Sequence, residues 1–593
     1  MIDARFDDLT GASASFRLVG PAGVLEATRT EEVPGVIAAA EGAAHRGLWV
    51  AGFLAYEAAP GLDPSLVVRP RDAGDAFARL PLAWFAMFER REETVLPEPQ
   101  ADPEPAAEGA WQPSLDRRAY DRAIGRIREH IAAGETYQVN HTLRLRSQVA
   151  GDERGLYRDL CYAQRGAYAA YLNAGRYRIL SASPELFFRL DEGRLTTKPM
   201  KGTAPRGRWS AEDEAVAEAL RGSVKDRAEN AMIVDLLRND LGRVAEPGSV
   251  RWDDVFDLER FETVWQLTST VSARLRAGTS LADVFRALFP CGSVSGAPKV
   301  RTMQIIAELE DSPRGVYCGA VGYLSPPGSG LPAARFNVPI RTVTLDSETG
   351  VAEYGVGGGI TWDSDAAGEY EETVAKARVL TSRRPRFELF ETLRHEPGVG
   401  YRHLARHLAR LRDSATYFGF AFNEGTVTAA LIQEATRFPD RDARIRVVVD
   451  RRGRVETGGV AALRSPGVVR VALDLGNPVD PSDPMLFHKT TRRRVYDDAK
   501  ARHPGVDDVL LTNTRGELTE STIANVAVRM EGAWFTPPLD AGLLAGIGRQ
   551  VALEEGWLAE RTILADTLRE AESIELVSDN RGRRLVELVQ PRG

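Results

Sequence analysis

With 593 residues, the chain is about four times the 150-residue domain prior, which excludes a single small module and asks for at least two hydrophobic cores. Hydrophobic residues at 43% and charged residues at 27% exclude wholesale disorder and collagen-like or fibrous architectures. The 76 basic and 84 acidic residues, net −8, supply no global basic field for nucleic acid, so small ligands are expected.

The opening MIDARFDDLT carries acids where a secretory leader needs a basic region and an apolar run. No stretch of about 18 apolar residues occurs, so no membrane partner is expected. Strand-like GLWVAGFLAYE (47–57) comes first, then a Pro-, Glu- and Ala-rich stretch (96–113) that suits an exposed loop or linker. RRAYDRAIGRIREHIAAGE (117–135) has apolar residues at helical spacing, and RYRILSAS (176–183) and GVYCGAVGYL (315–324) read as strands. The three cysteines, Cys161, Cys291 and Cys318, are odd in number and lack C-x-x-C spacing. That excludes a disulfide framework or zinc ribbon and fits a reducing, cytoplasmic setting. The acidic helical stretch ending in TSRRPR (381–386) is followed by strand-like FELFETLR, which places a boundary at about Arg384. Beyond it lie the basic amphipathic helix YRHLARHLARLRDSATYFG (401–419), the strands ARIRVVVD and GVVRVALDL, and further helix and strands. Two α+β domains, 1–384 and 385–593, are expected.

Two acidic pairs stand out in the first domain. Asp226 and Glu229, and Glu369 and Glu372, are each three residues apart on expected helices, so each pair shares a helical face. Four converging carboxylates would repel one another, and Mg²⁺ is the natural compensation, with open positions for an anionic substrate.

The segments SPELF (183–187), KPMKGT (198–203), KDRAENAMIVDLLRND (225–240), GSVSGAPK (292–299), IRT (340–342) and GEYEETVAKA (368–377) follow one another in this order. Together they resemble the chorismate-utilising enzymes, which include anthranilate, isochorismate, salicylate and aminodeoxychorismate synthases. The resemblance implies a large two-layer domain in which Glu229 and Glu372 bind Mg²⁺ directly and Asp226 and Glu369 assist through water. One chorismate carboxylate would meet the ion. The other would meet Arg341, Tyr317 and the turn around Gly296, Ala297 and Lys299, with Thr203 and Gly358 also touching substrate. Gln138 stands where the isochorismate-forming members have a water-activating lysine, which disfavours water as nucleophile. Lys201 resembles the lysine of the aminodeoxychorismate branch, which attacks ring C2 and is displaced when ammonia adds at C4. Glu185 would be the general acid for the departing hydroxyl, which asks for a raised pKa, as Lys201 asks for a lowered one. Gln266 departs from the histidine that family members often carry, which puts proton handling there in doubt. No cysteine has the glycine-flanked setting of a glutaminase nucleophile, so ammonia would come free or from a separate glutamine amidotransferase.

In the second domain Lys489, then Glu520-Ser521-Thr522 with Asn525, then Gly546-Ile547-Gly548-Arg549, and His407-Leu408-Ala409-Arg410 upstream, resemble the fold-type IV pyridoxal phosphate enzymes. Those are two-subdomain proteins, typically dimers, which leads us to expect a homodimer through this half. By that resemblance Lys489 carries the cofactor and shuttles a proton, and Glu520 keeps the pyridine nitrogen protonated. Arg410 and the turn at Gly546 and Ile547 would take the phosphate, with Asn525 beside them. The two resemblances imply consecutive steps: amination of chorismate to 4-amino-4-deoxychorismate, then its conversion to 4-aminobenzoate and pyruvate. The alternatives are an aminotransferase-like second half, an anthranilate-forming first half, or one half acting as a non-catalytic regulatory module.

Overall fold

The computed structural model of the chain describes residues 2–11, 13–98, 110–381, 386–462 and 467–589. The expected cut at Arg384 and the middle of the expected loop, 99–109, lie outside the described residues. The chain divides into two compact units, Met1–Arg206 with Ala217–Arg386, and Gly207–Val216 with Phe387–Gly593.

Period-two alternation builds the first unit. In β1 (Trp49–Leu54), Trp49, Ala51 and Phe53 enter one core, while Val50 and Leu54 enter another, as a pleated strand requires. The first core is strand against strand, with Phe6, Phe16, Leu18, Trp84, Phe88, Leu172 and Ile179. Helices roof the other cores. The expected 117–135 helix, α1, runs Arg117–Ala132 and starts where the Asp116 side chain accepts from the Ala119 N–H. Its Tyr120, Ile124 and Ile127 pack on Val139 and Leu143 of β2 (Gln138–Gln148). Among the described residues, seventeen strands join in one antiparallel network.

A separate three-stranded sheet carries the strand with Lys201, β3 (Met200–Pro205). The KDRAEN run forms α2 (Val224–Gly242), capped by Ser223, whose hydroxyl accepts from the Asp226 N–H. Next come β4 (Val264–Thr268), which pairs with β3 so that Thr203 faces Gln266, and α3 (Lys299–Leu309). The unit closes with β5 (Val351–Ile360), antiparallel to β2, and α4 (Ala366–Ala377).

The second unit has a four-stranded and an eight-stranded sheet. In the smaller one, β6 (Leu389–Glu396) presents Leu389 and Leu393 to Leu408 and Leu411 of α5 (Leu404–Phe418) and to Ile445 and Val447 of β7 (Ala443–Val449). The larger sheet mixes parallel and antiparallel pairs. It includes β8 (Leu518–Ser521) and β9 (Asn525–Met530), followed by α6 (Ile547–Glu554). Residues Gly207–Val216 belong to this unit. There the Trp209 ring lies 4.9 Å from that of Phe487, and Arg208 pairs with Asp540 at 2.6 Å. The expected α+β character is met in both units. Among the described residues no helix is long and apolar enough to cross a membrane.

Candidate active sites

A cleft of about 320 Å³ opens in the first unit. It is lined by Glu185, by Lys201 and Thr203 of β3, Asp226 and Glu229 of α2, Tyr317, Arg341, Gly358 of β5, and Glu369 and Glu372 of α4. Eight residues expected from five of the six motifs, with Tyr317 and Gly358 from outside them, therefore face one space. Gly359 of β5 explains part of the opening. A side chain there would come within 3.0 Å of Lys201 Nζ and 2.0 Å of Gln138 Nε2, so only glycine leaves room for the amine.

The electrostatics of the two central groups run in opposite directions. Burial pushes the Glu185 carboxyl up to about 7, against the Ser293 hydroxyl, which donates to Oε1 at 2.6 Å, and against Lys201. Burial lowers the Lys201 pKa, and the Lys376 ammonium lowers it further, opposed by Glu229, Glu185 and Glu372. Burial also raises Glu229 and Glu369. Glu372 is lowered by Lys376, whose Nζ stands 2.6 Å from Oε1.

The four expected carboxylates share this cleft without closing on one point. All four face the cleft, yet among the described residues no group of three or more His, Cys, Asp or Glu is arranged to hold a metal ion. Lys376 instead neutralises Glu372 and donates to the Gly357 carbonyl at 3.0 Å.

Three other expected residues stand outside the cleft lining. Gly296 and Ala297 pair with Val139 and Gln138, and the Ala297 carbonyl accepts from Tyr137 N and Thr136 Oγ1. Lys299 leaves with α3, which begins just after Pro298, and its ammonium sits 2.9 Å from Asp240. The same motif reaches the cleft through Ser293 and Val294. Gln266 lines the cleft and donates to Thr203 Oγ1 at 2.7 Å.

Sequence reasoning assigned no role to Ser293 or Lys376. For Lys376 a signal was available, since Glu372 and Lys376 are an i, i+4 acid–base pair. For Ser293 there was none.

A second cleft, of about 80 Å³, lies in the second unit. Lys489, Glu520, Arg410, Asn525, Gly546 and Ile547 all line it. Burial lowers Lys489 to about 8 and raises Glu520 to about 7. Glu520 accepts from Tyr496 Oη at 2.8 Å and the Leu544 N–H at 3.2 Å on one oxygen, and from Asn525 Nδ2 at 3.3 Å on the other. Gly546 caps α6, and a side chain there would fall 1.9 Å from Asn525 Oδ1. The amides at the start of α6 thus border the cleft as an anion-binding surface.

Arg446 was not anticipated. It is exposed and outside the cleft lining, opposite the cleft residue Thr392 in the sheet, and its guanidinium covers the Phe390 ring at 4.1 Å from the centroid. The Lys489 amine is 5.1 Å from the same centroid.

In each unit a half-buried amine and a buried carboxyl line one cleft with their pKa values drawn toward neutrality, the mark of an enzyme active site. Residues 6–382 match the family model described as chorismate binding enzyme, and residues 388–582 match that described as amino-transferase class IV. The chain belongs to the chorismate binding enzyme family. It is 45% identical over 319 residues to an aminodeoxychorismate synthase of Streptomyces griseus, covering 53% of this chain and 43% of that protein. Aminodeoxychorismate synthase component 1 of Klebsiella aerogenes is 44% identical over 272 residues, covering 46% of this chain and 59% of its own. The chain thus spans about half the length of the curated relatives it matches. Among solved structures, anthranilate synthase component I of Streptococcus pneumoniae aligns with a TM-score of 0.54 at 26% identity, over 63% of this chain and 93% of its own.

Proposed function

We propose that the chain makes 4-aminobenzoate in two steps, with residues 1–384 aminating chorismate to 4-amino-4-deoxychorismate and residues 385–593 releasing pyruvate from that product. The observation that carries this reading is the pair of oppositely shifted groups in each cleft, Lys201 with Glu185 and Lys489 with Glu520.

In the first cleft a Lys201 amine depressed by burial is available as a nucleophile. It attacks ring C2, the ring double bonds shift, and the C4–O bond breaks. Glu185, raised to about 7, protonates the hydroxyl, which leaves as water. Ammonia then adds at C4, the double bonds shift back, and the bond between C2 and Lys201 breaks. Arg341 and Tyr317 bind a substrate carboxylate. The carboxylates suit Mg²⁺ in donor type, because Glu229 and Glu369 are half-buried oxygen donors that face the cleft. Glu229 and Glu372 would hold the ion, with Asp226 and Glu369 behind them, once Lys376 parts from Glu372. There Mg²⁺ would neutralise the other substrate carboxylate. Ammonia arrives free or from a separate glutamine amidotransferase. The designation component 1 of the Klebsiella relative supports a second component.

The second cleft fits pyridoxal phosphate: a half-buried amine, an acid held by three donors, and a glycine-opened helix start beside an arginine. The cofactor, when bound, supplies an electron sink. Lys489 holds it and moves a proton from the amine-bearing ring carbon as the bond to the pyruvyl oxygen breaks, which leaves the ring aromatic. Glu520, near neutrality in the free protein, ionises against a pyridinium and keeps that nitrogen protonated. Arg410 and the amides of Gly546 and Ile547 hold the phosphate. A homodimer through this unit and a cytoplasmic location belong to the same reading.

Chorismate, Mg²⁺ and ammonia given to the pure chain should yield 4-aminobenzoate and pyruvate. Anthranilate, or aminodeoxychorismate that goes no further, would overturn the two-step reading. An aminotransferase-like second half would instead pass the amino group to a keto acid without releasing pyruvate. Capture of pyridoxal phosphate by the cofactor-free protein should accelerate as pH rises through about 8, because Lys489 must lose its proton and burial sets its pKa there. Absorbance stopped-flow measures this, and a rate still climbing only near 10 would contradict it.

A further inference from the structure

Arg410 is not a loose surface cation waiting for an anion. Its Nε and Nη2 donate side-on to Glu391 Oε1 and Oε2 at 2.7 and 2.9 Å, and its Nη1 donates to the Ala545 carbonyl at 2.9 Å. Ala545 directly precedes Gly546, the cap of α6, so one guanidinium is tied both to β6 and to the turn that presents the helix-start amides. Glu391 is buried, 1% exposed, and it is held in turn. His407 Nδ1 lies 2.8 Å from Oε2, and its Nε2 lies 3.1 Å from Asp579 Oδ2. Asp579 also meets His403 Nδ1 at 2.6 Å. The ladder Arg410, Glu391, His407, Asp579 fixes three stretches of chain far apart in sequence around one helix start.

Three of the five guanidinium N–H donors are spent in this way, and the planar group keeps a single orientation with its remaining donors committed to the cleft it lines. Resting on the reading of this cleft as a pyridoxal phosphate site, we infer that Glu391 is the positioning residue of the phosphate-binding guanidinium, with His407 and Asp579 holding Glu391 in turn. Glu391 touches neither substrate nor reacting atoms in this assignment. Its effect passes through Arg410 and is confined to ligands that carry the phosphate.

The experiment titrates the cofactor-free full chain with pyridoxal phosphate and, separately, with pyridoxal, which has the same aldehyde ring and no phosphate. For Glu391→Gln we expect affinity for pyridoxal phosphate to fall about tenfold or more, the scale of a charge-assisted bond pair, while affinity for pyridoxal changes less than twofold. An equal loss for both ligands would mean a purely structural carboxylate, and unchanged or tighter binding of pyridoxal phosphate would mean that Glu391 only neutralises Arg410. Either result overturns the inference. Should E391Q fail to fold by circular dichroism, Glu391→Asp, which keeps the charge on a shorter arm, is titrated in its place. The same selective loss, smaller in size, is expected, and an equal or absent loss overturns the assignment. A wild-type chain that binds neither ligand would overturn the cofactor reading itself.

Discussion

Replacing Lys489 by alanine leaves the first reaction running and stops the second. With chorismate, Mg²⁺ and ammonia, the K489A chain should accumulate 4-amino-4-deoxychorismate at the wild-type rate, while 4-aminobenzoate formation drops on the order of 10³-fold or more. Lys489 is the amine lining the second cleft and the group whose pKa burial brings to about 8. The neighbouring cations Arg410 and Arg493 are no replacement, because a guanidinium does not give up its proton near neutrality. Lys201→Ala should do the converse, abolishing the intermediate while the chain still converts added aminodeoxychorismate. Liquid chromatography of both products reads the two variants. Unchanged 4-aminobenzoate from K489A would refute the assignment of the second cleft.

Glu185→Gln should slow the first step by about 10² to 10⁴, the range of a lost general acid, and should change the shape of the pH profile. Glu185 is protonated below its pKa of about 7, so in the wild-type chain this step should weaken as pH rises through about 7 and the acid is lost. Lys201 works in the other sense, because it must lose its proton to attack. The wild-type profile is therefore a bell, and E185Q should lack its falling limb. The glutamine keeps an acceptor for the Ser293 hydroxyl, so the loss reports proton donation rather than collapse of the cleft. A variant that retains the falling limb would assign that limb to another group.

Much of both sites was legible in the sequence because their chemistry is carried by short runs. Lys201 and Thr203 alternate on a strand, Asp226 and Glu229 share a helical face, and Gly546 and Ile547 open a helix. Spacing itself implied only the shared face of Asp226 and Glu229, and motif resemblance supplied the other two pairs. What stayed hidden depends on where the chain turns between distant residues. Lys299 is contiguous with a motif that reaches the cleft, yet a helix starting at that residue carries it to Asp240. The Arg410 ladder joins residues 391, 407, 410 and 579, a separation no local pattern encodes. The hydroxyl of Ser293 on Glu185 was likewise beyond reach, since a serine within a small-residue turn reads the same whether or not it meets an acid. Lys376 was readable as a helical ion pair but not as the cation that tunes Lys201, because that role requires knowing that β3 and α4 face one space.

Residues Gly207–Val216 follow the strand that carries Lys201, yet they belong to the second unit, where Trp209 covers Phe487, two positions before Lys489. Subcloning at residue 386 is therefore an amputation. A polypeptide beginning at Phe387 lacks the indole over Phe487 and the arginine on Asp540, so it tests a protein with an uncovered aromatic face next to its key amine. Anyone assaying the halves as separate genes should supply the ten-residue segment in trans or graft it on before reading a weak activity as a property of the enzyme.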